Sequence, residues 1–537
     1  MVFHAAAGCG PVRLLDWKDW EPSRGPPGSV QGGAMTHFSP WLDGSIVGLY
    51  LLATMVVGLA VRRFVSKVDH FLVAGREVNV YLGVASLAAT EFGVVTCMYT
   101  AEAGYRYGFS GATPGLCQAL AMLVVGLSGF CIRPLRAAGV LTIPELLEQR
   151  FGPTVRWWAG LVIVLGGLLN MGVFLRMGGE FLLRVGGLSA ESVSLEWMMT
   201  GLLLLVASYT VLGGVLSVLI TDYLQFLVMS AGLVAVTLLI LVREGWDHLV
   251  ASVAQRHGPG GFNPLWHPEL GVPYVLFQVL VTLAAVLTWQ TSIARVLAAR
   301  SPQAGQQIYT RTSFFFVCRF LIPGLWGIAA AAALAASDAV PASPLQAMPA
   351  YLAQVVPTGL MGLLVAAMLA ADMSTDSSYM LTWGSVIYND LLAPWHRGRW
   401  SEQVGLLVNR LIVAAIGLFL LGYGLWYPLQ GSVWDYLAVT GTIYLASIST
   451  LLVACCYWPA AHRLGALAAI ATGAAIPLGF LVMQQLPATQ PLARVVGPHY
   501  AGIAAFAGSA AAMVLGSVAG RWRDAVGTRR DDPEPCR

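Results

Sequence analysis

The chain has 537 residues, 57% of them hydrophobic and 11% charged, with a mean hydropathy of +0.70 and a net charge of +3. Globular domains carry roughly 25% charged residues, so the composition reads as a polytopic membrane protein and not as a soluble enzyme. No basic stretch interleaved with aromatics points to nucleic acid. The eight cysteines, among them Cys97, Cys117, Cys131 and Cys318 inside apolar runs, show neither metal-ligand spacing nor a disulfide framework.

Residues 1–40 are rich in Gly, Pro and charge and lack the apolar stretch of a signal peptide. They read as a disordered extension or an early start, with Met35 the more plausible beginning. Apolar runs long enough to cross a bilayer then recur near 42–63, 79–107, 112–132, 155–185, 194–212, 215–242, 272–298, 309–336, 357–388, 405–427, 432–458, 464–484 and 500–520. That makes about 13 transmembrane helices in an all-α membrane domain over 41–524, followed by a tail over 525–537. The fifth and sixth runs are split only by Gly213-Gly214. Alternating the loops collects Arg62, Arg63, Lys67, Arg76, Arg133, Arg136, Arg150 and Arg156 on one side, with Arg300, Arg311, Arg397, Arg399, Arg463, Arg521 and Arg523. The other side holds Arg106, Arg243, Arg256 and Arg494. Positive charge stays inside, so the N-terminus is expected outside and the C-terminus in the cytoplasm, as an odd helix count requires. The longest outer connection, about 243–271, carries His248, His257 and His267, which fit a solvated loop better than a metal site.

Two stretches carry chemistry. Ala366–Met380, AAMLAADMSTDSSYM, places two acids and several hydroxyls inside an apolar run. At helical spacing Ala371, Ser374, Thr375 and Ser378 share one face, and Asp372 and Asp376 share another. Hydroxyls and carboxylates are hard donors for a small cation or a proton, while hydroxyls alone also serve close helix packing. A carboxylate at membrane depth marks function by default. The second stretch, Val84–Thr96, sets Glu91 beside Gly93 among small residues. That pattern fits a broken helix exposing carbonyls to a cation, or for Gly93 alone simple close packing. Arg176 and Glu180 lie one turn apart at membrane depth, either neutralising each other or offering Arg176 to a carboxylate. Arg319, ahead of Pro323, reads as structural.

Five blocks in order resemble the sodium/solute symporter family. They are Phe71–Arg76 followed by SLAATEF, Leu141–Gly152 (T-x-P-E-x-x-x-x-R-F), and Gly213-Gly214 with Ile220–Gln225. The last two are Trp289-Gln290 with Arg295–Ser301, and Leu369–Thr375. The resemblance spans roughly 70–460. It implies two inverted five-helix repeats, about 79–242 and 272–458, with broken helices around a midplane site. It also implies sodium (Na+) as coupling ion, bound by carbonyl oxygens of Ala89, Phe92 and Ala371 and hydroxyls of Ser374 and Thr375. No organic cofactor is implied. Glu91 falls where the proline-transporting branch has a functional aspartate. Asp222 falls at the family's acid near the sodium exit, or caps a helix. Trp289, Gln290 and Thr96 are placed on the substrate side. Asp372 and Asp376 depart from the family, where these positions are usually apolar, and keep proton coupling open. Pro114-Gly115 replaces a Tyr-Glu pair of the sugar branch and disfavours sugar.

The expected function is a symporter, not an enzyme, in a bacterial inner (plasma) membrane. Its partners would be a small polar solute (amino acid, carboxylate or vitamin-like) and the lipid bilayer, with a homo-oligomer left open. A proton-coupled transporter of the same fold, or a solute sensor that does not transport, are the alternatives.

Overall fold

The computed structural model describes residues 37–61, 68–186, 194–335, 343–392, 400–427 and 432–528. The extension up to residue 36, the tail from 529, and Arg62, Arg63, Lys67, Arg397 and Arg399 lie outside the described residues.

The described residues are nearly all helical. They form α1 (Leu42–Val61), α2 (Val80–Glu91), α3 (Val94–Tyr107), α4 (Thr113–Ser128), α5 (Pro153–Met171), α6 (Phe174–Val185), α7 (Leu195–Glu244) and α8 (Trp246–His257). The second half gives α9 (Gly271–Thr288), α10 (Gln290–Ala298), α11 (Pro302–Ala335), α12 (Leu360–Val386), α13 (Glu402–Trp426), α14 (Val433–Tyr457), α15 (Arg463–Gln485) and α16 (Gln490–Thr528). Eleven helical stretches among them, some joining two of these helices end to end, are long and apolar enough to cross a membrane. Two of the stretches hold two of the sequence's runs each. The 50 residues of α7 would reach about 75 Å at 1.5 Å per residue, far beyond a bilayer core of ~30 Å, and the chain breaks at Gly214. There φ is +56°, and the Phe71 ring leaves no room for a Cβ. A tight turn over Gly108–Ala112 separates α3 from α4. Counted with these breaks, the thirteen runs of the sequence each have their helix.

Burial orders the bundle. In α12 the most apolar stretch is 89% buried, against 22% in α1. Large apolar residues point outward from the peripheral helices, such as Leu52 and Leu418, which are 62% and 68% exposed. Such a belt suits lipid, where a helix satisfies its own backbone.

The T-x-P-E-x-x-x-x-R-F block is structural. Thr142 Oγ1 accepts the Glu145 N–H (3.3 Å) and Glu145 Oε2 accepts the Leu141 N–H (2.7 Å), capping the short helix Ile143–Phe151. Arg150 Nη1 donates to the Ala454 and Cys455 carbonyls (3.2 and 2.7 Å) at the end of α14, filling acceptors a helix terminus leaves open.

Candidate functional site

The expected break in the second span is present. Asn79 caps α2 by accepting the Leu82 N–H (2.9 Å), and the helix stops at Glu91. Phe92 (φ −101°, ψ 54°) and extended Gly93 then separate it from α3. Thr375 of α12 packs directly on the break. A Cβ on Gly93 would stand 2.6 Å from Thr375 Oγ1, which donates to the Thr90 carbonyl at 2.8 Å. Glycine is needed here because the Thr375 side chain lies against its Cα at the break, which unites the packing and broken-helix readings. The Phe92 N–H returns to the Ala89 carbonyl at 3.2 Å. Ala371 and Ser374 are fully buried beside this point.

Ser374 Oγ donates to Asp222 Oδ1 (2.6 Å), and Ser86 Oγ donates to Asp222 Oδ2 (2.5 Å). Arg295 of α10 closes the group. Its Nη2 lies 3.2 Å from Asp222 Oδ2 and donates to Thr90 Oγ1 and Ser378 Oγ at 2.6 Å each. Asp222 therefore sits inside α7, eight residues past the Gly214 break, and is not a helix cap.

A second buried ion pair lines a cavity of about 70 Å³. Glu91 Oε2 is 3.2 Å from Arg319 Nη1, while its other oxygen accepts from Thr291 and, at 3.4 Å, from Ser292. Both hydroxyls belong to the first turn of α10, where a helix N-terminus favours an anion. Arg319 Nη2 also donates to Thr96 Oγ1 (3.3 Å) and Tyr99 Oη (3.1 Å), and its Nε has no hydrogen-bond partner among the described residues. Trp289 lines the same cavity, donating from Nε1 to Tyr379 Oη (2.9 Å) and stacking on Tyr444. Gln118, Asn170 and Thr282 add neutral polar groups to the wall.

Of the residues expected at the site, Glu91, Thr96, Trp289 and Thr375 line this cavity. Gln290 does not; its amide turns back to the Thr288 carbonyl (3.1 Å). Arg176 does not either. It binds Glu180 (2.9 Å) and reaches the Gly424 and Tyr427 carbonyls, so the neutralising alternative describes it. Asp372 and Asp376 are buried on another face of α12, away from the cavity. Arg319 and Arg295 were the residues underrated. A lone arginine inside SFFFVCRFLIPGL deserved the same suspicion as a lone aspartate. His257 and His267 meet ring to ring at 5.5 Å, whereas His248 lies near Glu244 (3.8 Å). No group of three or more metal-binding side chains (His, Cys, Asp or Glu) occurs among the described residues.

The sodium:solute symporter family model matches residues 71–473, most of the chain. The chain belongs to the sodium:solute symporter family. Among curated members of this symporter family, sodium/glucose cotransporter 4 of Danio rerio is 23% identical over 493 residues, covering 82% of this chain and 72% of that protein. The high-affinity proline transporter PutP of Bacillus subtilis (strain 168) is 24% identical over 437 residues, covering 78% and 88%. A solved Na+-coupled sialic acid symporter in a substrate-bound outward-open state superposes with a TM-score of 0.75 at 19% identity. It covers 89% of this chain and 97% of its own, so the symporter fold is shared. The chain is thus an integral membrane protein of a transporter family.

Proposed function

We infer that this chain couples sodium entry to uptake of a small solute carrying a carboxylate. The carrying observation is the Glu91–Arg319 pair on the cavity wall, with Arg319 Nε unpartnered. A planar guanidinium with a spare donor matches a carboxylate, and Glu91 beside it matches an ammonium. An amino acid or related short zwitterion satisfies both; a sugar satisfies neither charge. At ~10–15 Å³ per water-sized position, the cavity holds only a few such positions in this conformation, which also suits a small solute.

Sodium is assigned to the break, between carbonyls of Ala89, Phe92 and Ala371 and hydroxyls of Ser374 and Thr375. Supporting this, both hydroxyls spend their proton elsewhere, Thr375 on the Thr90 carbonyl and Ser374 on Asp222. Their lone pairs stay available to a cation. Asp222 sits behind this site as a counter-charge already balanced by Arg295. Two inverted repeats over about 79–242 and 272–458 would each open with a broken helix. In keeping with this, α2 yields to α3 at Phe92-Gly93, and α9 yields to α10 at Trp289. The N-terminus is placed outside and the C-terminus in the cytoplasm on the loop charges.

Sodium and solute then act on neighbouring walls of α2, α3 and α12. Each binds the closed arrangement better than the open one, and this differential affinity drives the switch. The test is uptake into proteoliposomes of labelled amino acids, short carboxylates, vitamins and sugars. Uptake of a carboxylate-bearing solute that requires an inward sodium gradient is expected. Uptake driven equally by a pH gradient without sodium, or selective for an uncharged sugar, overturns the reading.

A further inference from the structure

A second cavity, of about 170 Å³, runs along the C-terminal half of α3 between the first turns of α9 and α14. None of its charged side chains serves the sodium or solute sites. Three acids line it, Glu102, Asp435 and Glu269, against one arginine, Arg106. Glu102 is 4% exposed, and its Oε1 lies 3.0 Å from Arg106 Nη2. Its Oε2 has no hydrogen-bond partner among the described residues. A buried carboxylate oxygen without a donor is rare in a folded chain and points to a partner from outside it. Asp435 is part-exposed, with Oδ1 3.7 Å from His499 Nε2 of α16.

Tyr99, Tyr107, Tyr274, Phe320 and Trp434 make up much of the remaining wall. An aromatic face attracts a cation that comes within ~6 Å of its centroid, and more strongly away from water. Acids and rings together form a cage for positive charge. A bare metal ion does not match it, because no three His, Cys, Asp or Glu side chains among the described residues are grouped to hold one. A carboxylate would meet the negative excess, and Arg106 already gives Nη2 to Glu102. The free donors, Arg106 Nε and Trp434 Nε1, suit a neutral oxygen such as a hydroxyl or a water. At ~10–15 Å³ per water-sized position the cavity holds roughly a dozen positions, room for a small organic ion.

We propose that this cavity binds an organic ammonium ion. An N–H of the ligand donates to Glu102 Oε2, Asp435 and Glu269 balance its charge, and the rings pack round its carbon skeleton. The ligand differs in kind from the carboxylate-bearing solute assigned to the smaller cavity, and the site stands without that assignment. Tyr99 and Trp434 belong to both cavities, so the ammonium ion sits against the wall of the solute cavity and not inside it.

The test is isothermal titration of the purified full-length protein in detergent at constant sodium. The probes are benzylammonium and the smaller methylammonium. Benzyl alcohol, benzoate and phenylglycine serve as neutral, anionic and zwitterionic counterparts of the first. Saturable heat is expected from at least one ammonium probe. In E102Q, which keeps the side-chain shape, its Kd should rise about tenfold or more, and in D435N by a smaller factor. Melting curves check that both variants fold. If E102Q does not fold, the part-exposed Asp435 decides through D435N. No saturable heat from either ammonium probe overturns the proposal, as does a Kd unchanged in the folded variants. Benzyl alcohol binding as tightly as benzylammonium would show a merely apolar cavity. Benzoate or phenylglycine binding more tightly than benzylammonium, and doing so through Glu102, would make it a second solute site. Either result overturns the ammonium assignment.

Discussion

The buried acids of α2, α7 and α12 divide into two kinds. Glu91 and Asp222 each face an arginine from another helix, at 3.2 Å in both cases, and each gathers hydroxyl donors. Asp372 and Asp376 share a helix with the hydroxyl that Asp222 holds, yet Asp372 packs on Gly178 of α6. The contrast teaches how a bundle tolerates buried charge. One pair of acids is fixed by arginines and can organise a site. The other pair has no ion-pair partner among the described residues.

Breaking a fixed pair gives the largest expected effect. R295Q leaves Asp222 buried and unbalanced, which costs about 3–5 kcal/mol. Melting in detergent should drop accordingly, and R295Q/D222N should recover most of the loss, because the two sites share one interaction. Equal melting of the single and double variants would show that the arginine serves packing alone. G178A comes next, since the new methyl group meets the Asp372 carboxyl and overpacking costs about 1–3 kcal/mol. D372A should relieve it, whereas an independent site would show simple additivity. T375A removes one hydroxyl worth about 1 kcal/mol, so the sodium concentration for half-maximal uptake should rise by roughly tenfold or less. An unchanged sodium requirement would move the ion away from the break.

The smallest effect concerns the connection carrying α8. Burial first, then His267 and Arg256, push His257 down to about 4. The unfolded value is near 6.5, so the open form binds a proton first and the ordered connection weakens as pH falls from about 6.5 towards 4. The protection factors for hydrogen exchange over residues 246–270, with the intrinsic slowing in acid divided out, should fall across that window in wild type and less in H257N.

Much of the fold was legible because a membrane span announces itself by length, and the breaks at Gly93 and Gly214 by the residue itself. The hydroxyl face of α12 was legible for the same reason, since Ser374 and Thr375 follow helical spacing. Partners were not. Ser86 and Asp222 are 136 residues apart, and Glu91 and Arg319 are 228 apart; no period links them. Arg176 kept two readings because spacing shows which residues neighbour each other on a helix but not which way the helix turns. Here it turns towards α13. The break between α5 and α6, at Gly172-Val173, had no sequence signal beyond a glycine in a glycine-rich run.

One wall of the cavity reaches further than the solute. Trp434 and Tyr99 line both this cavity and a neighbouring one of about 170 Å³, and with Phe320 they form a cluster of rings 5.1–5.9 Å apart. The partition between the two spaces is one layer of side chains. Arg319 is fastened to it, donating to the Tyr99 hydroxyl and lying over the Phe320 ring at 5.5 Å. A carboxylate drawing on Arg319 would therefore compete with the Tyr99 hydroxyl for the same guanidinium.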